Sequence, residues 1–196
     1  MIVGLTGGIG SGKTTVLNYF KEFENVAVYI ADVEAKSLMN NSPIIKEKLI
    51  NAFGEQAFVN NNLNRVFISN IVFKNKQKLH VLNAIVHPEV ANHFKNFVLE
   101  NKDKSYVLYE NAILFETKND QFCDCVITVF AALEKRISRI IKRDQTTREA
   151  VLDRIENQFS DQKKILQSHY IIENTSLLQT KETIHKSSVL ITGFRR

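Results

Sequence analysis

Apolar positions along this chain follow two rhythms. Short runs rich in apolar residues at 2–6, 26–30, 105–111, 123–130 and 169–172 have the length of buried strands. Between them, apolar residues return every three or four positions, the spacing of a helix with one buried face. Val16, Leu17, Phe20 and Phe23 set such a helix over residues 13–23. Further helices are expected over 43–53, 64–73, 76–100, 133–143, 148–159 and 175–190. Strands alternating with helices predict an α/β fold: five parallel strands between two helical layers.

Residues 31–104 break that alternation. They are polar, mostly helical, and marked by the turn-forming strings Asn40-Asn41-Ser42-Pro43 and Asn60-Asn61-Asn62. So long a helical stretch between two strands reads as an insertion over the ligand edge of the sheet. Pro88 falls inside the 76–100 pattern. A helix restart is expected there, because proline is tolerated in a first turn.

Composition narrows the class. A chain of 196 residues suits one compact domain with insertions, and 44% apolar with 24% charged residues is the mix of a soluble globular protein. No apolar run approaches the roughly 20 residues that span a bilayer. Met1-Ile2-Val3-Gly4-Leu5 has no basic stretch before it and no cleavage site after it, so a cytoplasmic location is expected. The net charge of +5 suits a polyanion: nucleic acid, an anionic membrane or a phosphorylated small molecule. Cys123 and Cys125 form one Cys-x-Cys with no second pair, which points to buried free thiols in a reducing compartment and away from zinc. His80, His87, His93, His169 and His185 show no metal-ligand spacing.

Chemistry enters with Gly7-Gly8-Ile9-Gly10-Ser11-Gly12-Lys13-Thr14, a full G-x-x-x-x-G-K-[ST] string between a strand and a helix. Gly8, Gly10, Ser11, Gly12, Lys13, Thr14 and Thr15 are therefore the expected nucleotide-binding residues. The glycines let the backbone approach a phosphate, and successive N–H groups form an anion-binding concavity. The helix start adds its positive dipole end. Lys13 places a compact charge on the β- and γ-phosphates of ATP, and the Thr14 hydroxyl is a ligand for Mg²⁺.

Asp32 lies just past the carboxyl end of the second strand, where ligands of open α/β sheets bind. There it accepts a proton from an attacking hydroxyl or helps hold the metal. The other reading is a helix N-cap. Arg136, Arg139, Lys142, Arg143 and Arg148 form a basic run, with Arg139 and Arg143 on one helix face. Alone it reads as a solvated face; beside a phosphate loop it reads as arginines that neutralise a γ-phosphoryl group.

These residues together resemble the dephospho-coenzyme A kinase family. The string from Leu5 to Thr15 is similar to that family's phosphate loop. Ala31-Asp32 falls at its catalytic aspartate, Leu82-Asn83-Ala84-Ile85-Val86-His87-Pro88 resembles its L-N-x-[IL]-[VL]-H-P signature, and Arg139 with Arg143-Asp144 matches its R-x-x-x-R-D lid. Gln158 and Asn174 fall at family-typical places. The resemblance covers about residues 2–180 and implies transfer of the ATP γ-phosphate to the ribose 3′-hydroxyl of dephospho-coenzyme A, the last step of coenzyme A synthesis. It implies Lys13, Asp32 and Arg139 as catalytic residues, Arg143 near the adenine, and Asp32 and His87 in the acceptor site. It implies a three-layer P-loop kinase fold: a core of residues 1–31, 105–131 and 160–196, a helical acceptor sub-domain at 32–104, and a lid at 132–159. The expected enzyme is a monomer or weak homo-oligomer with no nucleic-acid or membrane partner.

Some positions depart from the family pattern. Ile30 and Ala112 replace an aspartate and a proline, Lys36 replaces an arginine, and Glu110 stands where many members have aspartate. The nearest alternative is another P-loop small-molecule kinase, acting on a nucleoside or nucleotide. A GTP-binding switch needs D-x-x-G, which does not occur, and Asn101-Lys102-Asp103-Lys104 lacks the final aspartate of a guanine motif. The basic run keeps a nucleic-acid-binding module as a third reading, without any standard motif for one.

Overall fold

The computed structural model describes residues 1–73 and 75–193, which form two compact units, residues 1–29 with 101 onward and residues 30–100. The first unit is built on a five-stranded sheet. In chain order its strands are β1 (Ile2–Thr6), β2 (Val26–Ile30), β5 (Tyr106–Glu110), β6 (Cys125–Phe130) and β7 (Tyr170–Glu173). Their order across the sheet is β2-β5-β1-β6-β7. The strands run parallel, with Leu5 opposite Glu110 and Ile127, and Phe130 opposite Glu173. The five-stranded parallel sheet expected from the apolar runs is therefore present. β1 lies at its centre, which is why Val3 and Leu5 are wholly buried and no polar residue alternates with them.

Helices α1 (Lys13–Phe20), α6 (Leu133–Asp144), α7 (Arg148–Glu156), α8 (Asp161–Leu166) and α9 (Leu177–Gly193) complete this unit. Helix α1 stops at Phe20, short of the expected Phe23; Phe23 stays in a turn and stacks edge-on with His185 of α9. The α6–α7 hairpin has its own small core of Ile137, Ile140 and Val151. Gln145 takes a left-handed φ of 49° to end α6, and the Thr147 hydroxyl caps α7 by accepting the Ala150 N–H at 3.3 Å. Helix α8 has no counterpart among the expected elements. The Tyr106 hydroxyl meets Ser188 Oγ of α9 at 3.2 Å, and burial pushes its pKa up to about 12.

Cys123 and Cys125 are free and half-buried. Burial raises their pKa to about 12 and about 11. Iodoacetamide at pH 8 is therefore expected to label the native chain about 10²-fold or more slowly than the unfolded chain, in proportion to the thiolate fraction. Mass spectrometry of timed aliquots measures both rates; equal rates would show the thiols to be open to solvent.

The second unit contains α2 (Ala31–Asn41), α3 (Pro43–Phe53), a hairpin of β3 (Phe58–Val59) with β4 (Asn62–Leu63), α4 (Arg65–Val72) and α5 (Lys76–Glu100). The hairpin is a local consequence of the asparagine string: Asn60 and Asn61 both adopt positive φ, 49° and 67°, as a two-residue turn requires. Ser42 and Asn64 cap α3 and α4 by accepting the Ile45 and Phe67 N–H groups. Ile45, Leu49, Ala57, Phe58, Ile68 and Val86 form the core.

One expectation and one alternative reading fail in this unit. Helix α5 runs through Pro88 without restarting. Proline removes one N–H, and the carbonyl it would have met belongs to Ala84, on the exposed face of the helix, where water can serve it. Asp32 is also not an N-cap. Ile30 is the last extended residue, with φ −106° and ψ 101°, so the helix starts at Ala31 and Asp32 sits in its first turn. A carboxylate there meets the positive end of the helix dipole.

Candidate active site

The turn between β1 and α1 is the centre of the site in the first unit. Gly12 caps α1 in the left-handed region, φ 92° and ψ 25°. A Cβ at this position would lie 1.8 Å from Asn174 Nδ2, so both the backbone angle and the close approach demand glycine. Side chains outside the loop hold its carbonyl groups. Arg136 Nε donates to Ile9 O at 2.8 Å. Arg139 Nη1 donates to Gly10 O and Ser11 O, each at 3.3 Å, and its Nη2 to Asn174 O at 3.2 Å. Asn174 Nδ2 donates to Ser11 O at 3.0 Å. Asn174 is itself oriented by the Thr180 hydroxyl, which donates to its Oδ1 at 3.2 Å.

A trans peptide points its N–H opposite its C=O. Holding the Ile9 and Ser11 carbonyls on one side therefore turns the Gly10 and Gly12 amides to the other. Ser11 Oγ is the orphan of the loop: the residue is 1% exposed and this oxygen has no hydrogen-bond partner among the described residues. A buried hydroxyl without a partner is costly, and a phosphate oxygen supplies one.

Lys13 Nζ lies 3.6 Å from Glu110 Oε1, and both side chains are largely buried. Glu110 ends β5, beside β1, so its carboxylate reaches the lysine across the carboxyl edge of the sheet. Thr14 is exposed in the first turn of α1, with Thr15 half-buried behind it. The hydroxyl and carboxylate oxygens of Thr14 and Glu110 are hard donors of the kind Mg²⁺ takes. Among the described residues no group of three or more His, Cys, Asp or Glu side chains could hold a metal.

The structure brings together Gly8, Gly10, Ser11, Gly12, Lys13, Thr14, Thr15 and Arg139. Arg143 is placed elsewhere, at the end of α6. Its guanidinium is paired with Asp144 (2.7 Å and 3.0 Å), its side chain is 62% exposed, and Asp144 also accepts from Arg154 at 2.8 Å. The two arginines hold the Asp144 carboxyl down to about 2, with Arg143 the larger cause. Asp32 and His87 belong to the second unit, on α2 and α5, two helices that pack together; both residues are exposed.

Four further residues shape the site. Glu110 carried a faint sequence signal, a carboxylate closing an apolar strand. Gln158 Oε1 accepts the Ile9 N–H at 2.8 Å. Glu116 and Lys164 form a buried pair: Lys164 Nζ donates to Glu116 Oε1 at 2.7 Å and to Ala112 O at 2.9 Å, and the same carboxylate oxygen accepts the Phe159 N–H at 2.8 Å. Nothing in the polar string 161–166 singles out Lys164, because only the packing of α8 buries it.

The family described as dephospho-CoA kinase matches residues 1–180. A dephospho-CoA kinase from Fusobacterium nucleatum is 39% identical over 180 residues, covering 91% of this chain and 92% of that one. One from Bacteroides fragilis strain YCH46 is 34% identical over 172 residues, covering 88% and 83%. A solved structure from Thermus thermophilus superposes with a TM-score of 0.86 at 31% identity, covering 97% of this chain and 96% of that one. A shikimate kinase from Acinetobacter baumannii, at TM-score 0.52 and 16% identity over 98% and 93% of the two chains, shares the fold alone.

Proposed function

This chain belongs to the dephospho-CoA kinase family, and from that premise we propose how its own residues phosphorylate dephospho-coenzyme A. The reaction is ATP-dependent and yields coenzyme A and ADP, the closing step of coenzyme A biosynthesis. The observation that carries the residue assignment is the phosphate loop itself. Its carbonyls are held by Arg136, Arg139 and Asn174, and it contains a buried, unpartnered Ser11 hydroxyl.

In this reading the amides of the loop and Lys13 bind the β- and γ-phosphates. Glu110 keeps the Lys13 ammonium in place until nucleotide arrives. Mg²⁺ would be held by Thr14, with Glu110 as a further oxygen donor, and it supplies charge neutralisation on the phosphate oxygens. Asp32 accepts the proton of the ribose 3′-hydroxyl as that oxygen bonds to the γ-phosphorus. The bond from that phosphorus to the β–γ bridging oxygen breaks, and ADP leaves. Arg139 moves a guanidinium N–H from the loop carbonyls onto the transferring group. Residues 132–159 act as the lid that excludes water, Arg143 contacts the adenine, and the 30–100 unit with His87 binds the acceptor. The working species is a monomer or a weak homo-oligomer in the cytoplasm. No helix among the described residues is long and apolar enough to cross a membrane.

Incubation with ATP, Mg²⁺ and dephospho-coenzyme A, followed by chromatography, is expected to give coenzyme A and ADP one for one. ATP turnover on nucleosides with no coenzyme A formed would overturn the acceptor assignment.

A further inference from the structure

Ile9 is a residue of the phosphate loop, yet its contacts are with the segment 132–159 and its junction with α8. Its side chain packs against Ile137, Ile140 and Val151. Its N–H donates to Gln158 Oε1 and its carbonyl accepts from Arg136 Nε, both at 2.8 Å. Arg136 stands at the start of α6 and Gln158 just past the end of α7. Arg136 is 2% exposed and forms an ion pair with Asp161 at the first turn of α8. It also crowds Gly8: a Cβ there would lie 2.4 Å from Arg136 Nη2. A side chain at the second glycine of the loop would therefore have to displace the Arg136 guanidinium from its place beside Ile9 and Asp161.

We propose that Arg136 and Gln158 are positioning residues, which hold the phosphate loop in its nucleotide-binding shape from the two ends of the lid. A loop with positive φ at Gly7, Gly10 and Gly12 has wide conformational freedom when nothing restrains it. Fixing the two peptide groups that flank Ile9 removes much of that freedom before ATP arrives, so less ordering opposes binding. The seat of the lid and the affinity for nucleotide then depend on the same two hydrogen bonds. The turnover measurements below, unlike the ADP titration, rest on the kinase reading given above.

Gln158→Met keeps side-chain length and removes the acceptor. The Kd for ADP, by calorimetry, and the KM for ATP are expected to rise about ten-fold, the consequence of one unmade, partly buried hydrogen bond. The KM for dephospho-coenzyme A is expected to stay within about two-fold and the melting temperature within a few degrees. Arg136→Lys keeps a cation for Asp161 but loses the planar fork that reaches Ile9, and is expected to weaken ADP binding in the same direction. Unchanged ADP affinity in both variants would overturn the proposal. So would a joint loss of kcat, both KM values and melting temperature, which marks general destabilisation. ADP titration needs no acceptor, so a wild-type protein that forms no coenzyme A would sink the kinase reading and leave this test intact.

Discussion

Asp32→Asn is expected to lower kcat for coenzyme A formation by about 10²–10⁴-fold, the usual contribution of a positioned general base. The substitution keeps shape and removes the ability to take a proton. Asp32 is exposed in the first turn of α2, so the lost dipole interaction costs only about 0.3–1 kcal/mol, too little to unfold the chain. The Kd for ADP should remain within about two-fold of wild type, since no phosphate contact is assigned to this residue. Steady-state turnover beside ADP calorimetry separates the two effects. A kcat reduced less than about ten-fold would remove Asp32 from the role of base.

Lys164→Met is expected to destabilise the protein by about 3–5 kcal/mol, because it leaves the Glu116 carboxylate buried without its cation. Burial lowers the Lys164 pKa in spite of the nearby carboxylate, which says that the charged lysine is itself held at a cost. The ion pair is therefore an interdependent arrangement, and its net worth is small. Among the described residues Glu116 Oε2 is already buried without a partner, and without Lys164 the Phe159 N–H is the one neutral donor on the carboxylate. Adding Glu116→Gln to Lys164→Met should recover part of the loss, a non-additivity of about 1–3 kcal/mol expected for two residues in contact. Urea unfolding of the four proteins of the cycle gives these values. A single-variant loss below about 1 kcal/mol would mean that water reaches the carboxylate.

The parts of the molecule legible in sequence are those whose causes are local. The phosphate loop was legible because glycine placement and the flanking strand and helix lie together in residues 2–20. The strands were legible because a mostly apolar run has no other stable home in a sheet covered on both sides. The asparagine string signalled its turn for the same reason, although not the hairpin it closes. What remained hidden depends on partners far along the chain. Lys13 meets Glu110, Ile9 meets Gln158, and Lys164 meets Glu116. Lys164 lies in a helix whose sequence looks solvated, and no periodicity marks it as buried. The continuity of α5 through Pro88 was not legible because proline suits a helix's first turn as well, and only the structure shows that the carbonyl it leaves free, that of Ala84, faces water.

The strand order has a consequence for the making of the protein. β1 precedes both its neighbours in the sheet by about a hundred residues or more, since β5 and β6 begin at Tyr106 and Cys125. For the time needed to add more than a hundred residues, at about 5–20 per second, a mostly apolar strand and a glycine-rich loop wait without their sheet. The 30–100 unit is contiguous and has its own core, so it can collapse during that interval. Nascent chains stalled about 35 residues beyond Glu100, with β5 and β6 still in the exit tunnel, should therefore protect the helical unit from protease while the nucleotide site does not yet exist.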